Sequence, residues 1–142
     1  MKKIISLSLL AFIGYTAQSQ EKLTYPENEI RSMHEGFEVI MDTVVDGKAI
    51  HEIGYINSDS TYLPNYGMWY YLLSNNSCFL TMFRPHDEAA KQDRIRAIEL
   101  FGNKVSDTQW TDRSPYGKIT ITLSKDNIGW HFDYIIKNED RQ

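Results

Sequence analysis

The sequence predicts an α+β domain: a mostly antiparallel six-stranded sheet made of three hairpins, packed by one long helix, with a short N-terminal helix in front. Three observations carry that reading. Pairs of apolar or alternating runs at 37–56, 68–84 and 118–137 each close around a short polar turn. The stretch 85–101 instead repeats its apolar residues at helical spacing. The resulting order, α-β-β-β-β-α-β-β, joins strands by hairpins and leaves one helix to cover a face of the sheet. A chain of 142 residues, 42% hydrophobic and 24% charged, suits a single globular domain rather than a disordered tail, a collagen-like fibre or a multi-span membrane protein.

The domain is expected to begin after a signal peptide, residues 1–19. Met1-Lys2-Lys3 is a basic start, Ile4 to Ile13 is a short apolar run, and Ala17 and Ser19 are the small residues of a cleavage site. The apolar run is too short for a spanning helix, which needs about 20 residues. Cleavage after Ser19 leaves residues 20–142 as one α+β domain. It also removes two lysines, so the net charge moves from -4 to -6. The expected destination is the bacterial periplasm or the medium, with no stable membrane insertion once the signal is removed. An acidic domain argues against nucleic acid as a partner. With a single cysteine there is no intramolecular disulfide, so stability rests on packing.

The first element is a short helix. Thr24 and Glu27 have capping-box spacing and Pro26 suits a first turn. Ile30, Met33 and Phe37 form a thin apolar stripe, and Gly36 is a natural stop. Next, Phe37 to Val45 and Lys48 to Ile56 flank Asp46-Gly47, the preferred pair for a two-residue type I′ turn. That turn sets Val45 against Lys48, Thr43 against Ile50 and Asp42 against His51. Asn57 to Asn65 reads as a loop. Met68 to Leu73 and Cys78 to Arg84 then flank Ser74-Asn75-Asn76-Ser77. Both runs are almost continuously apolar, as in strands buried on both faces.

Pro85 opens the long helix, which runs to Phe101 before Gly102. Asp87 and Glu88 stand in its first turn, where the dipole favours negative charge. Ala90, Ala97, Ile98 and Phe101 share its inner face, with Ile95 and Leu100 on the flanks. Val105 to Tyr116 reads as a loop. The last hairpin, Lys118 to Ser124 and Gly129 to Lys137, alternates apolar with polar residues around Lys125-Asp126-Asn127-Ile128.

Candidate chemistry is sparse. The chain has no Walker loop, GxGxxG, CxxC, HExxH or GxSxG motif. Cys78 lies inside an apolar run and is expected to be buried and inert. Of His34, His51, His86 and His131, no two have the spacing of metal ligands. His131 with Asp133 offers two ligands where zinc takes three or four, and His86-Asp87-Glu88 reads as a charged helix start. No metal, cofactor or catalytic residue is therefore assigned. His51 opposite Asp42 is the one acid–imidazole pair. It fits a cross-strand contact better than a general base, because no nucleophile accompanies it.

The unusual segment is Tyr62 to Tyr71, where five of ten residues are aromatic. Tyrosine and tryptophan present a flat apolar body with a polar tip, which suits recognition surfaces. Tyr62, Tyr66, Trp69 and Tyr70 are the candidate binding residues. Tyr62 and Tyr66 are expected nearer solvent. Trp69 and Tyr71, or Tyr70 instead of both, are expected in the core. The leading expectation is a non-enzymatic binding domain for a protein, peptide or small apolar ligand. The alternative is a small envelope hydrolase or isomerase that uses the His51/Asp42 pair in a pocket between sheet and helix.

Overall fold

The computed structural model describes residues 22–45 and 50–137. The expected signal peptide and the Asp46-Gly47 turn lie outside the described residues. Helix α1 (Glu27–Met33) precedes strands β1 (Glu38–Val45), β2 (Ile50–Asn57), β3 (Gly67–Ser74) and β4 (Ser77–Pro85), with a 3-10 turn at Leu63–Asn65. Helix α2 (Glu88–Phe101) precedes β5 (Asn103–Ser106), β6 (Gln109–Ser114), β7 (Gly117–Lys125) and β8 (Trp130–Lys137). Among the described residues the fold is α+β with an antiparallel sheet and two helices, as expected. The sheet, however, has eight strands rather than six, and the covering helix has 14 residues, four turns rather than a long rod.

The strand order is β1-β2-β3-β4-β8-β7-β6-β5, antiparallel throughout. Each helix is followed by a four-stranded meander, and the two meanders meet at the β4–β8 seam. The topology is thus duplicated although the sequence carries no visible repeat. The two extra strands, β5 and β6, occupy the segment expected to be a loop. β5 is exposed at every position, and Trp110 is the buried residue of β6. Such an edge carries almost no apolar alternation, so periodicity does not reveal it.

Both helices lie on one face of the sheet. Ile30 of α1 and Ile98 of α2 join Ile53, Trp69, Phe83, Ile121 and Phe132 in a single buried cluster. β3 alternates buried with partly buried positions, so the central strands are not covered on both faces as their apolar runs suggested. Met68, Tyr70 and Leu72 look out from the open face.

Local details also depart from the sequence expectations. Thr24 does not cap α1. It adopts a φ of 71°, and its N–H donates to the Cys78 carbonyl at 2.7 Å, while the Cys78 N–H donates to Tyr25 O at 3.0 Å. Pro26 takes the N-cap position, and Asn76 of the β3–β4 turn accepts from the Glu27 N–H at 3.0 Å. Met33 and Phe37 are exposed, leaving Ile30 as the buried residue of α1. In the first hairpin Val45 faces Ile50, a shift of two from the expected register, and an irregularity between Val39 and Met41 moves the register again. An even shift keeps every side chain on its original face, whereas the irregularity at Ile40 turns Val39 toward the helix side. In α2, Pro85 still belongs to β4, and Asp87 is the cap, accepting from the Ala90 N–H at 2.8 Å.

Candidate functional site

Arg94 organises the helix side of the sheet. It lies on the α2 stripe Ala90–Arg94–Ile98, one residue per turn, and is 5% exposed. Its Nε donates to the Pro64 carbonyl at 2.9 Å, and a terminal nitrogen reaches the Asn65 side chain. The guanidinium also lies 4.9 Å from the ring centroids of both Trp69 and Phe83. A planar fork can hold carbonyls and stack on rings at once, which an ammonium cannot. Asn57 Nδ2 and Trp69 Nε1 donate to the Asn65 carbonyl at 3.0 and 3.4 Å. The 3-10 turn is thereby fixed between α2 and the sheet.

A cavity of about 520 Å³ opens between this turn, the C-terminal half of α2 and the sheet. Tyr62 and Pro64 form one wall, Ala97, Ile98 and Phe101 another, and Ile121 and Tyr134 belong to the floor. A second cavity of about 320 Å³ lies on the α1 side, lined by Met33, His34, Phe37, Asn57, Trp69 and Tyr71. Lys22 and Asn65 line both. The larger volume falls in the range of about 300–1,000 Å³ typical of small-molecule sites.

His34 is the titratable group of the smaller cavity besides Lys22 and Tyr71. Its Nε2 lies 2.6 Å from the Tyr71 hydroxyl, and its ring centroid is 4.5 Å from that of Tyr55. Its Nδ1 has no hydrogen-bond partner among the described residues. Burial, with a smaller contribution from the Lys22 charge, pushes its pKa down to about 4. The imidazole is therefore neutral at pH 7.

The four expected binding residues divide. Tyr62 stands at the larger cavity and is 50% exposed; Trp69 lines the smaller one and is buried. Tyr66 is partly buried, its ring tilted against that of His86 with centroids 4.3 Å apart. Tyr70 lies on the opposite face, its hydroxyl 3.5 Å from Met68 Sδ. Of the two core alternatives, the structure adopts Trp69 with Tyr71. Comparison with protein-family models, curated proteins and solved structures gives no match.

The His51/Asp42 pair does form, at 2.6 Å, but diagonally: Val44 is opposite His51 and Asp42 is opposite Ile53. His51 Nδ1 also meets Glu27 at 3.2 Å, and Arg31 bridges Glu27 and Asp42 at 2.9 and 2.8 Å. The hydrogen bonds from His51 and Arg31 hold the Asp42 carboxyl below its ordinary range. This network clamps α1 to the first hairpin, and none of its members lines either cavity. Cys78 is buried as expected, and burial pushes its thiol up to about 11, far from a reactive thiolate. His131 lies 3.2 Å from Asp133, and no group of three or more His, Cys, Asp or Glu side chains among the described residues is placed to hold a metal ion.

Proposed function

We propose that this chain is an exported, non-enzymatic binding domain that holds a small apolar ligand in the cavity between α2, the 3-10 turn and the sheet. The observation that carries the reading is that cavity: about 520 Å³, with Tyr62 at its opening and Ile98, Phe101 and Ile121 in its walls. Part of the aromatic segment thus contributes to a concave site rather than a flat patch, which favours a small molecule over a protein surface. The clamp role of His51 and Asp42, outside both cavities, counts against the hydrolase or isomerase alternative. Export rests on the expected signal peptide, residues 1–19, and the N-terminus of the mature protein is expected to be Gln20, checked by N-terminal sequencing.

The test uses fluorescence of N-phenylnaphthylamine, a neutral apolar dye. Wild-type protein brightens the dye. Ala97→Trp, which projects an indole into the cavity, weakens the effect while the protein still melts cooperatively. Tyr62→Ala weakens binding by about tenfold or more, a typical loss for an aromatic anchor, with little change in melting. Tyr66→Ala and Tyr70→Ala leave dye binding intact. A folded Ala97→Trp protein that binds dye like wild type overturns the reading.

A further inference from the structure

The two cavities differ in chemistry and share two lining residues. The larger exposes mostly apolar surface, from Ala97, Ile98, Phe101 and Ile121 among others, although Asp93, Arg96 and Asp112 also line it. The smaller offers His34, Asn57 and Tyr71 beside Trp69. Lys22 and Asn65 line both, so an apolar compartment adjoins a polar one across a lysine.

The charge at that junction runs against the rest of the chain. The protein is net -4, yet no aspartate or glutamate lines the smaller cavity, and Lys22 makes no ion pair among the described residues. The charged groups of the larger cavity are mostly engaged with one another or with the 3-10 turn. Asp93 pairs with Arg96, and Arg94 holds the 3-10 turn. Asp112 remains as an acidic group, accepting from the Arg113 N–H at 2.8 Å. His34, neutral at pH 7, adds hydrogen-bonding capacity there without a competing charge.

We propose that the two cavities form one site for a fatty carboxylate, with the acyl chain in the larger cavity and the carboxylate at the junction, held by Lys22. This rests on the apolar-ligand reading above and adds the charge of the ligand. The position of Lys22 is fixed by its own turn. Its carbonyl accepts from the Tyr25 N–H at 3.0 Å, Leu23 is buried beside it, and Thr24 is hydrogen-bonded to Cys78. These bonds hold the Lys22 backbone beside both cavities, and an ammonium extending from there along an apolar compartment attracts an anion more strongly than one in bulk water.

The exported protein is titrated calorimetrically at about pH 7.5, where a carboxylate is ionised, with dodecanoate, dodecanol and butyrate. Dodecanoate is expected to bind about tenfold or more tighter than dodecanol, and butyrate, lacking the chain, to show no measurable binding. Lys22→Gln removes the preference for dodecanoate over dodecanol, and Lys22→Arg restores it. All three proteins should share one urea midpoint. Equal affinity for dodecanoate and dodecanol, or a Lys22→Gln protein that keeps the preference, overturns the inference. If N-phenylnaphthylamine binds but dodecanoate does not, this inference alone fails. If dye, dodecanoate and dodecanol all fail to bind, the apolar-ligand reading fails with it.

Discussion

Burial sets the chemistry of His34, and the consequence is a pH dependence of stability. The folded pKa of about 4 lies below the unfolded value of 6.5. The unfolded chain therefore takes up this proton first as pH falls. Stability from neutral His34 is complete above pH 6.5 and is lost progressively between there and about pH 4, by up to about 3 kcal/mol. Urea unfolding between pH 7.5 and 4.5 should show the decline in wild type and a flatter profile in His34→Gln. Arg94 makes a second prediction. Arg94→Met keeps the stem but leaves the Pro64 carbonyl without its donor, so it should cost about 2–3 kcal/mol in urea unfolding and loosen dye binding. Neither residue was assigned a role from the sequence. His34 follows Ile30 by one turn, and Arg94 stands midway between Ala90 and Ile98, so the spacing held a signal. An arginine on a helix face gives no further sign in the sequence when its partners, the Pro64 carbonyl and the Asn65 side chain, lie 30 and 29 residues away. Cys78 was legible because an apolar strand buries a thiol without help from distant residues.

Among the elements, those whose partners lie nearby in the chain were readable. The β3–β4 hairpin closes at Asn75-Asn76, both with positive φ, 51° and 58°, as a type I′ turn requires. α2 begins one residue after its aspartate cap. Asp87→Ala should accordingly cost about 1 kcal/mol, measured by thermal melting. Gly67 is more demanding. A Cβ there would stand 2.1 Å from the Arg84 carbonyl oxygen, and the neighbour is backbone, which cannot swing away. Gly67→Ala should lower stability by about 2 kcal/mol or more and disturb the start of β3, next to the cavity wall; a wild-type melting curve would contradict the close approach. What escaped the sequence were elements specified by long-range partners. β6 is a strand because Trp110 faces Ile121 of β7, and α1 owes its first bonded N–H to Asn76, 49 residues on.

Across the whole molecule, strand order decides where the fold is firmest. β4 and β8 lie at the centre, with Phe83 opposite Phe132, whereas β5 is a four-residue edge with no buried side chain. Amide exchange should be slowest along β4 and β8 and fastest in β5, since local opening follows burial and edge position. Protection of β5 equal to that of β4 would contradict this ordering. The class of fold was legible because hairpin turns and one capped helix are local. The seam was not, because nothing in the β4 or β8 sequences announces that strands some 50 residues apart will pair. The anchoring of Thr24 to Cys78 has a practical side. Any tag or fusion partner joined ahead of Lys22 would leave the fold where both cavities meet, and it would obstruct a ligand or contribute contacts of its own. Attachment beyond Lys137 avoids this, since neither Lys137 nor its cross-strand neighbour Lys118 borders either cavity. Surface immobilisation through the C-terminal end should therefore preserve ligand capture that immobilisation through the N-terminal end masks.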